Sequence, residues 1–583
     1  VLDQAGASHY AYDAVGRPTI VSRQIDGQNF TASYRYDLAG RVTGITYPDG
    51  SVVAYTYGDG ADLTSVSLNG TLLEGISGYD AARRPGQISY HNGVTSVLAY
   101  DQMGHLTHLA TTAAGSSVLQ DLTYDWYARP NTGGLNLGSV TDNRANKIAA
   151  DGTNTDETQA FSYDALYRLT EADGAWGAKS YFYDPLGNPT TFGGAVDRSL
   201  SFTGSQVTSG TGLSGVQYDA SGNMVSKLLD GTSWQYGWSA ENQLLSVTKD
   251  GVQIGSMGYD ATGERVKKVY TPSAGPVVTT LYIGGLYEKR SYSDGSPDLH
   301  TINVFARGQL IASLTKSGPV QTALRTDERS RVRWAAAAMY SGRRLDGLSA
   351  KAGHMAAAIA FHPDTILWLL LALLVILVAR LARLVLRIWT PNEGGGAPLR
   401  LASALTALLM FISSVSCYRG QERDAIAGTR ARLLASGAGP RIGLSFYHTN
   451  MVGSTTVVTD SAGSEVTRYA YLPYGEVASG YSSGADSVTA KFAGRPYDDE
   501  FELSYHHARY YDPHLGRFIS ADSIVPHLAD DQSYNRYSYA RDNPINLVDP
   551  SGHFGICWDA YGSGACGDGA GGGGGGDFGG GGG

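Results

Sequence analysis

The chain has 583 residues, enough for several cores or one long repeat array, and its net charge of -10 offers no basic field for a phosphate backbone, which excludes nucleic acid as a partner on this ground. Charged residues make up only 17%, whereas Gly (76) and Tyr (38) are abundant; short strands joined by many tight turns, an all-β chain, follow from that balance. Three cysteines, Cys417, Cys557 and Cys566, show no CxxC pairing, so neither a disulfide framework nor a zinc site is expected. The chain starts at Val1 without a signal peptide and already reads as the middle of a repeat, which predicts a piece of something longer.

From the first residues onward one unit recurs: Tyr-Asp, two variable residues, Gly, a polar residue, then a β-prone run. It reads YDAVGRPTIV from Tyr12, YDLAGRVTGI from Tyr36, YDQMGHLTHL from Tyr100, YDPLGNPTTF from Tyr183, YDASGNMVSK from Tyr218 and YDATGERVKK from Tyr259. Weaker copies begin at Tyr79, Tyr124 and Tyr163, and clear neighbours stand 20 to 24 residues apart, about one hairpin. The spelling has a mechanism, since Asp bonds amides two residues on and Gly supplies the positive φ of a tight reversal. Alternating runs on either side, such as SYRY and RVTGITY, carry the period of two of a strand with one buried face. These YDxxGR units resemble the Rhs or YD-repeat proteins of bacteria. The resemblance implies β-hairpins wound into a large, hollow spiral sheet, a shell spanning 1–321.

At 322–441 the β pattern gives way to Ala- and Arg-rich sequence with two apolar runs, 365–379 and 401–418. The first is 15 residues, about 22 Å of helix, and needs Arg380 to snorkel if it is to cross a core of about 30 Å. Together the runs predict an inserted α-helical, transmembrane-type hairpin. Its linking loop holds Arg380, Arg383, Arg387 and Arg400 against Glu393, which favours a cytoplasmic loop. The alternative is a pair of helices buried inside the shell.

Strand-like sequence resumes at 442. The segment 442–553 contains PYGE from Pro473, FAGR from Phe492, ARYYDPHLGRF from Ala508, then SAD, SYNRYSYARDNP and DPSG. In that order these resemble the Rhs-associated core that closes the shell; EFELSYHHARYYD is a local departure. His506 and His507 are adjacent in a strand-like run and should face opposite sides, so no shared metal is expected. Tyr505, Tyr510, Tyr511, Tyr534, Tyr537 and Tyr539 read as packing residues. The resemblance also implies that the core cuts its own chain after an Asp-Pro-x-Gly motif, here Asp549 to Gly552, between His553 and Phe554, although relatives often have Leu where His553 stands. Asp522, Asp531 and Asp549 are the carboxylates nominated for acid and base, with Arg517 as electrostatic partner. Two carboxylates held close cannot both ionise easily, which leaves one as acid. Asp549 reads equally well as a turn former ahead of Pro550.

The remaining 554–583 is Gly-rich and predicts a disordered tail with no toxin domain and no phosphate loop. No GxSxG, HExxH or Walker sequence and no cofactor motif is present, so self-cleavage is the one chemistry expected. The leading expectation is a secreted or surface-associated shell of the polymorphic-toxin type whose partner is its own C-terminal segment, with a membrane as a further partner through 365–379 and 401–418. The alternative is a surface adhesin whose outward tyrosines stack on carbohydrate; the two differ in where the tyrosines face.

Overall fold

The computed structural model describes residues 2–3, 6–127, 136–149, 152–318, 442–484, 488–525, 531–553 and 555–557. Every sheet in it is antiparallel. Sixteen strands from Leu2–Asp3 to Gly177–Ser180 form one ribbon in strict chain order, and eighteen from Phe182–Tyr183 to Ser483–Gly484 form a second. Each strand therefore pairs with its neighbours in sequence, the arrangement that a run of hairpins must give.

The repeat spelling is visible atom by atom. Asp13 Oδ1 accepts the amides of Val15 and Arg17, both at 3.0 Å, and its Oδ2 accepts Arg17 Nε at 2.6 Å. Gly16 closes the turn at φ +86. The guanidinium thus pinned lies 4.6 Å from the ring of Tyr36, the tyrosine of the next repeat, whose hydroxyl donates to the Pro18 carbonyl at 2.8 Å. Arg41 covers Tyr57, Arg84 covers Tyr100 and Arg168 covers Tyr183 in the same way, at 4.5 to 4.7 Å. Where the arginine is replaced, Asn188 and Asn223 keep the bond to the turn aspartate at 2.8 and 2.9 Å. Tyr, Asp, Gly and Arg are one device: each turn holds its own reversal and caps the next strand.

The ribbons meet through their apolar faces. Ile45, Val53, Val66 and Leu73 of the first pack with Leu281, Ile302, Val304 and Ile311 of the second. Tyr47 donates to the Asn303 carbonyl at 2.9 Å, and Arg307 pairs with the fully buried Glu74 at 2.8 Å. Strand Gln309–Ser317 pairs directly with Gly443–Thr449, so the sheet is continuous across the stretch expected to be inserted. That stretch, with its runs 365–379 and 401–418, lies outside the described residues. Among the described residues the helices are four short 3-10 turns, and no helix is long and apolar enough to cross a membrane.

A small sheet, Tyr497–Asp498, Leu503–His506, Arg509–Asp512 and Arg517–Phe518, packs against both ribbons. Of the six tyrosines read as packing residues, Tyr505, Tyr510, Tyr511, Tyr537 and Tyr539 are buried. Tyr534 is the correction: it lies in the 3-10 turn Asp531–Tyr534, outside the small sheet, and is 53% exposed. The tail expected to be unpaired from 554 onward is ordered at its start, since Ile556–Cys557 pairs with Leu547–Val548. Phe554 and 558–583 lie outside the described residues.

Candidate functional site

The hairpin between those two short strands carries the Asp-Pro-Ser-Gly turn, and the small sheet grips it by its backbone. Four successive carbonyls are held: Asp549 by His506 Nδ1 at 2.7 Å, Pro550 by Arg495 Nη1 at 3.1 Å, Ser551 by the Ala508 amide at 3.2 Å, and Gly552 by Arg509 Nε. Burial drives His506 down to about 3, so its ring is neutral and donates from Nδ1. Its neighbour His507 points elsewhere, to Glu264 at 2.8 Å, and the cause is not the strand alternation expected: the strand ends at His506, and His507 sits in the hairpin turn at φ +57. Gly552 sits at φ +78, and a Cβ there would fall 2.3 Å from the His506 carbonyl oxygen. Only glycine fits.

Asp549 caps this turn itself. Its Oδ1 accepts the amides of Gly552 at 2.7 Å and His553 at 3.1 Å. Both readings of Asp549 therefore remain in play, since the residue that shapes the turn also stands beside a second carboxylate. Arg509 Nη2 bridges them, 2.9 Å from Asp522 Oδ2 and 3.4 Å from Asp549 Oδ2. Asp522 Oδ1 in turn accepts His553 Nδ1 at 2.8 Å and the Ile524 amide at 3.0 Å. Asp522 and Asp549 are 3% and 2% exposed, out of reach of bulk solvent. Burial pushes the Asp549 carboxyl above its usual range, against the pull of Arg509 and the two amides. Burial lowers Arg509 to about 10 despite both carboxylates, and at neutral pH it stays charged. A cleft of about 40 Å³, more than the ~10–15 Å³ a water needs, is lined by Arg509, Asp522, Arg536, Asp549 and His553.

The structure thus brings Asp522, Asp549 and His553 together. Asp531 begins the turn that supplies Gln532 and Ser533 to the same cleft, but its side chain lies outside the described residues. Arg517 is not there. Its guanidinium donates to the Ser205 carbonyl and lies 4.9 Å from Phe202 and 5.2 Å from Tyr537. The reason is register: Asp512 pairs with Arg517 and Tyr511 with Phe518, so Arg517 shares a face with Asp512, opposite to Arg509. The cation between the carboxylates is Arg509, and sequence reading missed it along with the carbonyl clamps Arg495 and His506.

Two long antiparallel ribbons, Arg-capped Tyr-Asp turns and a buried small sheet surround this turn. The teneurin YD-shell family matches residues 442–545, and the RHS repeat matches 21–52 and 36–67. In these segments the chain is similar to Rhs/YD-repeat proteins. It is 37% identical over 112 residues to the tRNA nuclease WapA of Bacillus subtilis, which covers 19% of this chain and 5% of that protein. It is 30% identical over 112 residues to toxin subunit YenC1 of Yersinia entomophaga, covering 19% and 11%. The fold matches the Photorhabdus luminescens Tc holotoxin pore with a TM-score of 0.63 at 16% identity, over 96% of this chain and 24% of that one. The aligned regions are thus a small fraction of these relatives' length.

Proposed function

We propose that the chain is a YD-repeat shell of the toxin-associated type, with 1–321 and 442–553 forming the shell and core, 322–441 an insertion, and the bond after His553 cut by the core itself. The observation that carries this is the pairing of two buried carboxylates across one arginine beside a water-sized cleft, at the turn that leads to that bond. Asp549, whose carboxyl burial pushes above its usual range, serves as acid; Asp522, facing Arg509 at 2.9 Å, serves as base. Water adds through its oxygen to the His553 carbonyl carbon while Asp522 takes one of its protons and Asp549 protonates the carbonyl oxygen. The carbon–nitrogen bond then breaks, the nitrogen leaves with a proton from Asp522, and Asp549 recovers its own. One water is consumed, a carboxyl forms on His553 and an amine on Phe554.

The partner in this reading is the chain's own C-terminal segment, and secretion with it is part of the same proposal. The toxin names of the relatives support it, as does the fold match to a Tc holotoxin. Carbohydrate is not favoured, because ring faces of repeat tyrosines such as Tyr36, Tyr57, Tyr100 and Tyr183 are covered by arginines of the preceding turn. The test is a denaturing gel of the purified chain beside Asp522→Asn and Asp549→Asn. Wild type should give a shortened band and each variant only the full-length one. Equal cleavage in all three would remove both carboxylates from the chemistry.

A further inference from the structure

We propose that His553 restrains the cut made after it, by keeping its ring on the carboxylate that has to activate water. The inference rests on the self-cleavage reading. The ring Nδ1 lies 2.8 Å from Asp522 Oδ1, the oxygen that also accepts the Ile524 amide at 3.0 Å, while Oδ2 faces Arg509 at 2.9 Å. Facing an ionised carboxylate, Nδ1 must carry the proton and donate it. Each hydrogen bond donated to a carboxylate favours its charged form and makes it a weaker base. The ring therefore occupies an oxygen of the group that has to take the water proton, and that bond must break first.

The contact is fixed from both sides. The His553 amide is held by Asp549 Oδ1 at 3.1 Å, and the carbonyl of Gly552 by Arg509. On the other side, Arg536 Nε donates to the Asp522 carbonyl at 2.6 Å and the Asp522 amide donates to the Arg536 carbonyl at 2.9 Å. Both His553 and Asp522 line the cleft, so the bond occupies the place where water would be activated. The bonds made and broken are those given above; the ring alters only how fast they change.

The experiment follows cleavage over time on denaturing gels for wild type, His553→Leu, His553→Ala and His553→Asn, each with and without Asp549→Asn. Leu and Ala cannot donate to Asp522 and should speed cleavage about tenfold, the rate equivalent of one hydrogen bond that no longer has to break before water is activated. Asn keeps an N–H donor at nearly the position of Nδ1 and should stay close to the wild-type rate, which a merely structural role for the ring would not produce. Asp549→Asn should block all four. Two non-donor variants guard against one misfolding, with urea midpoints compared beside the rates. If wild type is cut and the non-donor variants are cut no faster, the restraint is overturned while self-cleavage stands. If none of the four is cut, the cleavage reading falls and takes this inference with it.

Discussion

Replacing Asp498 by alanine should lower the unfolding free energy by about 3–5 kcal/mol, read as a shift in the urea midpoint at unchanged slope. Asp498 is the hinge of charge between the small sheet and the second ribbon. It accepts Arg265 Nη1 at 2.5 Å and Lys268 Nζ at 2.6 Å, and all three side chains are buried, at 3%, 2% and 9% exposure. Removing the carboxylate leaves Arg265 to the hydroxyl of Tyr510 and the ring of Tyr505, neither of which neutralises it. Lys268 keeps Glu500 and the ring of Phe501. An uncompensated buried cation is the costly state. By contrast, Asp62→Ala breaks a pair whose Arg83 side chain is 53% exposed and should cost no more than about 1 kcal/mol. Burial acts to raise the Asp498 pKa, but Arg265 and Lys268 outweigh it and hold the carboxyl below its usual value. Its stabilisation is therefore complete above the unfolded value near pH ~4 and is lost as pH falls through the lower folded value.

Asp542 should give a pH dependence of opposite sign in a different window. It lies at 3% exposure at the end of the 3-10 turn Ala540–Asp542, and burial pushes it up to about 7. Arg168 and Arg517 pull it down, while Asp164 and Asp184 add to the rise. The folded state then keeps a proton that the unfolded chain has released. Stability falls as pH climbs from about 4 to about 7, by about 4 kcal/mol in all. Asp542→Asn removes the charge and suits the backbone, since φ there is +58 and asparagine tolerates the left-handed region. Urea midpoints across that range should show the variant level with wild type in acid and well above it at pH ~8. Parallel profiles would remove Asp542 from the account.

The sequence was readable where interactions are short. The Asp-to-amide bonds of a YD turn span two to four residues, so their chemistry is spelled in one line of text. The stacking of Arg17 on Tyr36 spans one repeat, and only the register of the sheet reveals it. The small sheet was recognisable by resemblance, yet its attachments were not, because Lys227 to Asp512 and Arg265 to Asp498 join positions more than 200 residues apart. The choice between Arg509 and Arg517 shows the limit most clearly. Both belong to ARYYDPHLGRF, and only the pairing of Asp512 with Arg517 sends one to the ribbon and leaves the other between the carboxylates. His553 could be named as the residue before the cut, but not as a ligand of Asp522, which stands 31 positions earlier in the chain.

The most direct measurement is the intact mass of the purified wild-type chain after prolonged incubation, taken under denaturing conditions. A species whose C-terminal residue is His553 is expected, together with the released peptide beginning at Phe554. A chain that stays whole, or one that breaks at another bond, would contradict the cut after His553.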